Sequence, residues 1–197
     1  MKSFPTFIIA SNNKSKTEEL IKCFRFLGLQ AKSYQDEIDV LKFPPEGTKT
    51  YLANARKKAR FVAQYLPDQW IVADDSGMVL QALPKRLGVT TARQLEPYQD
   101  VDDLNQKVLK LVAGKSRLVK MIAQLVLVTP DKGEFGGYGE FNGTVATSQR
   151  GTNGSSFDLI LEPQGMKQTI AQLPDQEKIP MLHRTKAILD LISKLEG

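Results

Sequence analysis

The chain has 197 residues, 41% of them hydrophobic and 25% charged, which is enough to bury a real core and is the balance of a globular protein rather than a disordered or fibrous one. No apolar run reaches the roughly 18 residues a membrane helix needs, and Phe7-Ile8-Ile9-Ala10 is too short for a signal-peptide core, so a cytoplasmic protein with no membrane partner is expected. The single cysteine, Cys23, excludes an internal disulfide and a thiolate metal site, and the net charge of +5 suits a polyanionic ligand, while no arginine-rich tail or zinc spacing points to nucleic acid.

Thr6 to Ser11 reads as a buried strand, and Asn12 to Ser15 as a polar turn. From Ser15 a helical pattern follows, with Leu20, Cys23, Phe24 and Leu27 on one face and Gly28 as its stop. Ala31 to Gln35 is a second strand, and Asp36 to Gly47 a loop with two prolines and scattered carboxylates. Thr48 caps a helix whose apolar face is Leu52, Ala55, Ala59, Val62, Ala63 and Leu66. Trp70 to Ala73 is a short strand ending at Asp74-Asp75-Ser76-Gly77, and Asp102 to Val112 a helix closed by Gly114. Leu118 to Thr129 and Glu134 to Ala146 are strands joined by the Pro130-Asp131-Lys132-Gly133 turn. Phe157 to Leu161 is a strand, and His183 to Leu195 the final helix. Alternating strands and helices around a long hairpin predict a mixed α/β fold.

Three groups could carry chemistry. Ser11-Asn12-Asn13-Lys14-Ser15-Lys16 lies between a strand and a helix, where backbone amides attract anions and Lys16 can follow a phosphate. The plainer reading is a capped helix, since the loop has no glycine and is not a Walker loop. Asp74-Asp75 at a strand end, with Gly77 relaxing the backbone, suits a hard cation, although an Asx turn would use the same residues. His183 is the sole histidine, and no Gly-x-Ser-x-Gly elbow accompanies it, which argues against a serine hydrolase.

In their order along the chain these pieces resemble the inosine triphosphate pyrophosphatase family. Ser11-Asn12-Asn13-Lys14-Ser15-Lys16 is similar to its Thr/Ser-x-Asn-x-x-Lys loop, and Thr50-Tyr51-Leu52-Ala53-Asn54-Ala55-Arg56-Lys57-Lys58-Ala59 to its Thr-Phe-x-Glu-Asn-Ala-x-x-Lys-Ala. Ala73-Asp74-Asp75-Ser76-Gly77, then Leu83 and Gly88-Val89-Thr90-Thr91-Ala92-Arg93, resemble Ala-Asp-Asp-Ser-Gly, Leu-Gly-Gly and Gly-Val-Tyr-Ser-Ala-Arg. Gly139 to Gly143 resembles its Gly-x-x-x-Gly hairpin, and Glu177-Lys178 and His183-Arg184 keep the spacing of its Glu-Lys and Ser-His-Arg. The departures are Pro84-Lys85 for Gly-Gly, Gln94 for an aromatic, Leu182 for serine, and Gly154-Ser155-Ser156-Phe157-Asp158-Leu159 for Gly-Phe-Gly-Tyr/Trp-Asp-Pro. The last replaces the stacking aromatic of the base pocket by Ser155.

The resemblance implies a single domain over residues 1–197, an elongated mixed sheet with flanking helices, and two lobes around a nucleotide cleft, as a homodimer. It implies a metal-dependent hydrolase that splits inosine- and xanthosine-type triphosphates, ribo or deoxy, into monophosphate and pyrophosphate, with Mg²⁺ or Mn²⁺ as cofactor. Asp75 would bind the metal and activate water, with Glu46 and Asp74 supporting the metal. Lys16, Lys58 and Lys178 would neutralise the triphosphate, and Ser11, Asn13 and Ser76 would orient its oxygens. Asp158, His183 and Arg184 would meet the base edge, beside Ser155, Ser156 and Phe157. Two alternatives accompany this reading: a catalytically weak nucleotide-binding relative, and a pyrophosphatase for modified pyrimidine nucleotides.

Overall fold

The first strand, β1 (Phe7–Ile9), is short because only its apolar residues are wholly enclosed and the polar turn after them begins a helix. In the computed structural model, which describes residues 4–196, β1 pairs in parallel with β2 (Ala31–Ser33) on one side and β3 (Trp70–Leu80) on the other. With β4 (Leu118–Val128), β5 (Glu134–Val145) and β6 (Leu161–Pro163), the described residues form a six-stranded sheet in the order β2-β1-β3-β4-β5-β6, and β5 and β6 run antiparallel. This is the mixed sheet with flanking helices that the sequence leads one to expect.

The chain divides into two compact units. The first holds the residues up to Ser76, Ala123–Gly139, and those from His183 on; the second holds Gly77–Ile122 and Glu140–Leu182. In the first, strand alternation sorts the side chains onto two faces. Ile8, Ala10, Ile71, Ala73, Val126 and Val128 meet Ala55, Ala59 and Val62 of helix α2 (Tyr51–Ala63). On the opposite face Phe7 packs on Phe24 of helix α1 (Lys14–Phe26), their ring centres 4.9 Å apart. Helix α6 (His183–Glu196) lies against α1 and passes so close to β5 that a Cβ on Gly139 would sit 2.1 Å from the His183 carbonyl oxygen. Only glycine lets α6 begin there, and its first turn carries His183 and Arg184.

In the second unit, helices α3 (Thr91–Leu95), α4 (Val101–Leu111) and α5 (Asp175–Lys178) join short 3₁₀ turns. Asn105 of α4, fully buried, donates from Nδ2 to the Ser156 carbonyl at 3.0 Å and so fixes the segment that carries the altered base-pocket motif.

Several boundaries differ from the sequence reading. Helix α2 starts at Tyr51 because Thr50, not Thr48, accepts the Ala53 N–H. After Ser33 the chain turns into a 3₁₀ helix, Tyr34–Asp36, closed by reciprocal Ser33 and Asp36 hydrogen bonds. The segment read as a strand from Phe157 is instead a 3₁₀ turn, Ser156–Leu159, followed by β6. Most consequential, β3 does not end at Ala73 but runs on to Leu80, so the paired aspartates lie inside a strand. Gly77 does not relax a turn there: a Cβ at this position would lie 2.1 Å from the Gly88 carbonyl oxygen, so the glycine serves close backbone approach.

Candidate active site

Because successive strand residues face opposite ways, Asp74 and Asp75 point to different sides of the sheet. Both are buried, 1% and 4% exposed, and they draw their partners from different helices.

Asp75 shares its face with Ile71 and Ala73 and turns toward α2. Asn54 donates from Nδ2 to Asp75 Oδ2 at 2.9 Å, and Lys58 Nζ lies 3.8 Å from Oδ1. Asn54 also clamps the loop before the helix: its Oδ1 accepts the Gly47 N–H at 2.8 Å and its Nδ2 donates to the Gly47 carbonyl at 3.2 Å. That clamp holds the neighbouring Glu46 where its Oε1 accepts from Lys58 Nζ at 2.9 Å. Two carboxylates therefore flank one ammonium. Burial pushes Asp75 up to about 6, Glu46 adds to the rise, and Lys58, Asn54 and Lys16 pull against it. A carboxylate so tuned can accept a proton near neutral pH. Tyr51, at the head of α2, has its hydroxyl raised to about 12, by burial first and the Asp75 charge second.

Asp74 faces α1 and α6. Its Oδ2 receives Lys16 Nζ at 3.0 Å, Arg184 Nε at 3.4 Å and the Ser76 hydroxyl at 3.2 Å. Arg184 continues the network, donating to Ser76 Oγ at 2.8 Å and pairing through Nη1 with Glu19 Oε2 at 2.9 Å. Burial alone would raise Asp74, but Lys16, Arg184 and Lys58 hold its carboxyl well below the usual carboxylate range. Glu19 is likewise held low against burial, by Arg184 and then His183. Burial, then the Arg184 charge, takes His183 down to about 3, so its ring is neutral at pH 7 and its Nε2 has no partner.

Of the expected metal carboxylates, Glu46 and Asp75 share Lys58, and among the described residues no three of His, Cys, Asp and Glu come together as a metal-binding group. The strand pleat turns Asp74 from Asp75, and lysine and arginine engage it.

The other expected residues fall into two groups. Ser11 Oγ accepts the Asn13 N–H at 3.1 Å, and Asn13 Oδ1 caps α1 by accepting the Lys16 N–H at 2.9 Å. With Lys16, Glu46, Lys58, Asp74, Asp75, Ser76, His183 and Arg184 these belong to the first unit. Ser155, Ser156, Phe157, Asp158 and Lys178 belong to the second. There Lys178 Nζ donates to the Asn153 carbonyl at 2.5 Å and lies 3.8 Å from Asp158 Oδ2, while Asp158 accepts the Ser155 N–H at 3.4 Å. Ser156 holds a left-handed backbone, φ 51°, at the position of the second glycine in the family motif.

Sequence reasoning gave no role to Glu19 or Asn54. Glu19 had a signal, since it follows Lys16 by three residues on one helix face. Asn54 was visible only as a letter of the Asn-Ala motif, because its partners are 7 and 21 residues away.

The chain is similar to known proteins over almost its whole length. The model of the Ham1 family matches residues 7–194. The chain is 39% identical over 189 residues to the dihydroneopterin triphosphate diphosphatase of Limosilactobacillus reuteri, covering 96% of this chain and 97% of that protein. It is 32% identical over 187 residues to a dITP/XTP pyrophosphatase of Listeria monocytogenes, covering 93% and 91%. Among solved structures it is similar to the Staphylococcus aureus Ham1 protein, with a TM-score of 0.79, 26% identity, and coverage of 98% and 99%. No helix among the described residues is long and apolar enough to cross a membrane. The resemblance carried by the Asn-Lys loop, the Asp-Asp-Ser-Gly strand and the His-Arg pair thus holds along almost the whole sequence: this chain belongs to the Ham1 family.

Proposed function

We propose that the protein is a metal-dependent pyrophosphatase that hydrolyses (deoxy)inosine- and xanthosine-type triphosphates to monophosphate and pyrophosphate. The observation that supports this most is Asp75: buried, anchored by Asn54, raised to about 6, and paired across Lys58 with Glu46. Asp75 takes a proton from water, whose oxygen attacks the α-phosphorus. The bond from that phosphorus to the bridging oxygen breaks, and pyrophosphate leaves with its electron pair. Lys58 and Lys16 neutralise the charge that moves onto it. Asn13, Ser11 and Ser76 orient phosphate oxygens, and Lys178 adds a further cation. Asp158, His183 and Arg184 meet the base edge, beside Ser155, Ser156 and Phe157. A neutral His183 can donate or accept there, and the guanidinium of Arg184 keeps N–H groups beyond those given to Asp74, Ser76 and Glu19.

The donors fit a hard divalent cation. Asp75 and Glu46 offer carboxylate oxygens around the single ammonium of Lys58, and Mg²⁺ is held by one or two carboxylates plus phosphates and water. Bound there, Mg²⁺ or Mn²⁺ would lower the pKa of the attacking water and polarise the phosphoryl group. The same reading has one domain over residues 1–197, a homodimer, and the cytoplasm.

A second substrate is favoured by one comparison and one local feature. The relative at 39% identity is named for dihydroneopterin triphosphate, and Ser155 stands where the family motif has a stacking aromatic. A pterin presents the same oxo and amino edge as guanine on a different fused bicycle. The deciding experiment is metal-dependent pyrophosphate release on inosine, xanthosine, guanosine, modified pyrimidine and dihydroneopterin triphosphates. Hydrolysis of none of them would overturn the enzymatic reading.

A further inference from the structure

Tyr51 opens helix α2 behind the Thr50 cap. Helical spacing puts Tyr51, Asn54 and Lys58 on one side, three and seven residues on. Asn54 at 2.9 Å and Lys58 at 3.8 Å both reach Asp75, which fixes that side toward the carboxylate. The Tyr51 ring follows them: its hydroxyl is buried and within the field of Asp75. Yet this hydroxyl has no hydrogen-bond partner, neither Asp75 nor any other group. A phenol can both donate and accept, and a buried one left unmatched is destabilising. In the family motif the position carries phenylalanine, so packing alone does not require the oxygen.

A partner from outside the chain would satisfy it, and the groups around it set the charge that partner carries. Asp75 Oδ2 is already engaged by Asn54, and a second neutral acceptor would gain little beside a lysine. Lys58 and the positive end of the dipole of a 13-residue helix together favour an anion. We propose that the Tyr51 hydroxyl donates a hydrogen bond to a non-bridging phosphate oxygen of the substrate, as a substrate-contacting residue of this chain in addition to those the motifs contain. This inference rests on the pyrophosphatase reading for its substrate, but not for its test.

The test is Tyr51→Phe, which removes one oxygen at constant ring shape. Binding of inorganic tripolyphosphate in magnesium buffer is measured by calorimetry, turnover of the best triphosphate from the substrate panel by pyrophosphate release, and melting temperature by calorimetric scan. The variant is expected to bind tripolyphosphate about 10-fold more weakly, as fits one hydrogen bond to a charged group. Its kcat/KM should fall by a similar factor, and its melting temperature should hold or rise. An unchanged tripolyphosphate affinity, or a lower melting temperature from a purely internal role, overturns the inference. If the parent binds tripolyphosphate but cleaves no triphosphate, the pyrophosphatase reading fails while affinity alone still decides Tyr51. If the parent does not bind it, both the phosphate site and the role of Tyr51 are rejected.

Discussion

Asn54 holds Asp75 and Gly47 at once, donating to the Asp75 carboxylate at 2.9 Å while pairing with both the N–H and the carbonyl of Gly47. One amide thereby sets the distance between the proposed base and the loop that presents Glu46. Asn54→Ala should lower stability by about 2–4 kcal/mol, because buried groups left unmatched cost about 1–3 kcal/mol each. Turnover should fall more than 10-fold, since Glu46 loses its register with Asp75. Thermal unfolding and pyrophosphate release measure the two effects, and a variant as stable and active as the parent would contradict the clamp.

Asp75→Asn should separate activity from stability. Losing general-base help costs about 10²–10⁴ in rate. The folded carboxyl titrates at about 6, above the about 3.9 of an unfolded chain, so its ionised form weakens the fold at pH 7. The uncharged amide should therefore melt at an equal or higher temperature in the absence of metal. A marked loss of stability, or activity within a few-fold of the parent, would show that Asp75 has another role. Parent turnover should also stop in excess chelator and return with Mg²⁺ or Mn²⁺.

Arg184→Ala should be among the most damaging single changes in the first unit. It leaves the buried Asp74 and the partly buried Glu19 without their shared cation, and breaking a buried pair costs about 3–5 kcal/mol. Adding Glu19→Gln to Arg184→Ala should recover part of the loss by removing one stranded charge. Unfolding midpoints in urea check both steps, and a double variant less stable than Arg184→Ala would reject the coupling.

Acid should act on two groups in opposite directions. His183 falls from about 6.5 unfolded to about 3 folded, so its contribution is complete above pH 6.5 and is lost as pH drops toward 3. Asp75, raised to about 6, gains stability over pH 6 to 4 and offsets it. Below pH 4 Asp74 and Glu19, both held low, add to the loss and the fall steepens. His183→Gln removes the histidine contribution alone, so its melting temperature relative to the parent should rise steadily from pH 7 to pH 4.5. A difference that stays constant with pH would mean that His183 is not buried in its neutral form.

Much of this was legible in the sequence because it is local. β1, α1, β4, β5 and α6 lie within a few residues of their expected bounds, since each depends on its own apolar period and turn residues. The length of β3 was not legible: Asp74-Asp75-Ser76 looks like a polar turn until Lys16, Arg184, Asn54 and Lys58 arrive from three helices to satisfy it. The motifs named Asp74, Asp75, Lys16 and Arg184, but not the pleat that places the two aspartates on opposite faces. Tyr51 went unassigned because its significance is a buried oxygen without a partner, which no spacing reveals.

The Arg184 network also bears on how the chain is made. Asp74 precedes Arg184 by 110 residues, and Glu19 comes earlier still. At about 5–20 residues per second on the ribosome, Asp74 waits roughly 5–20 s for its arginine. Of the two cations that pair directly with Asp74, only Lys16 is then at hand. The early strands and α1 can gather, but the first unit cannot close around its charges until the start of α6 has emerged. A chain interrupted before residue 184 lacks the cation that Asp74 and Glu19 share, and is expected to stay open and exposed to aggregation.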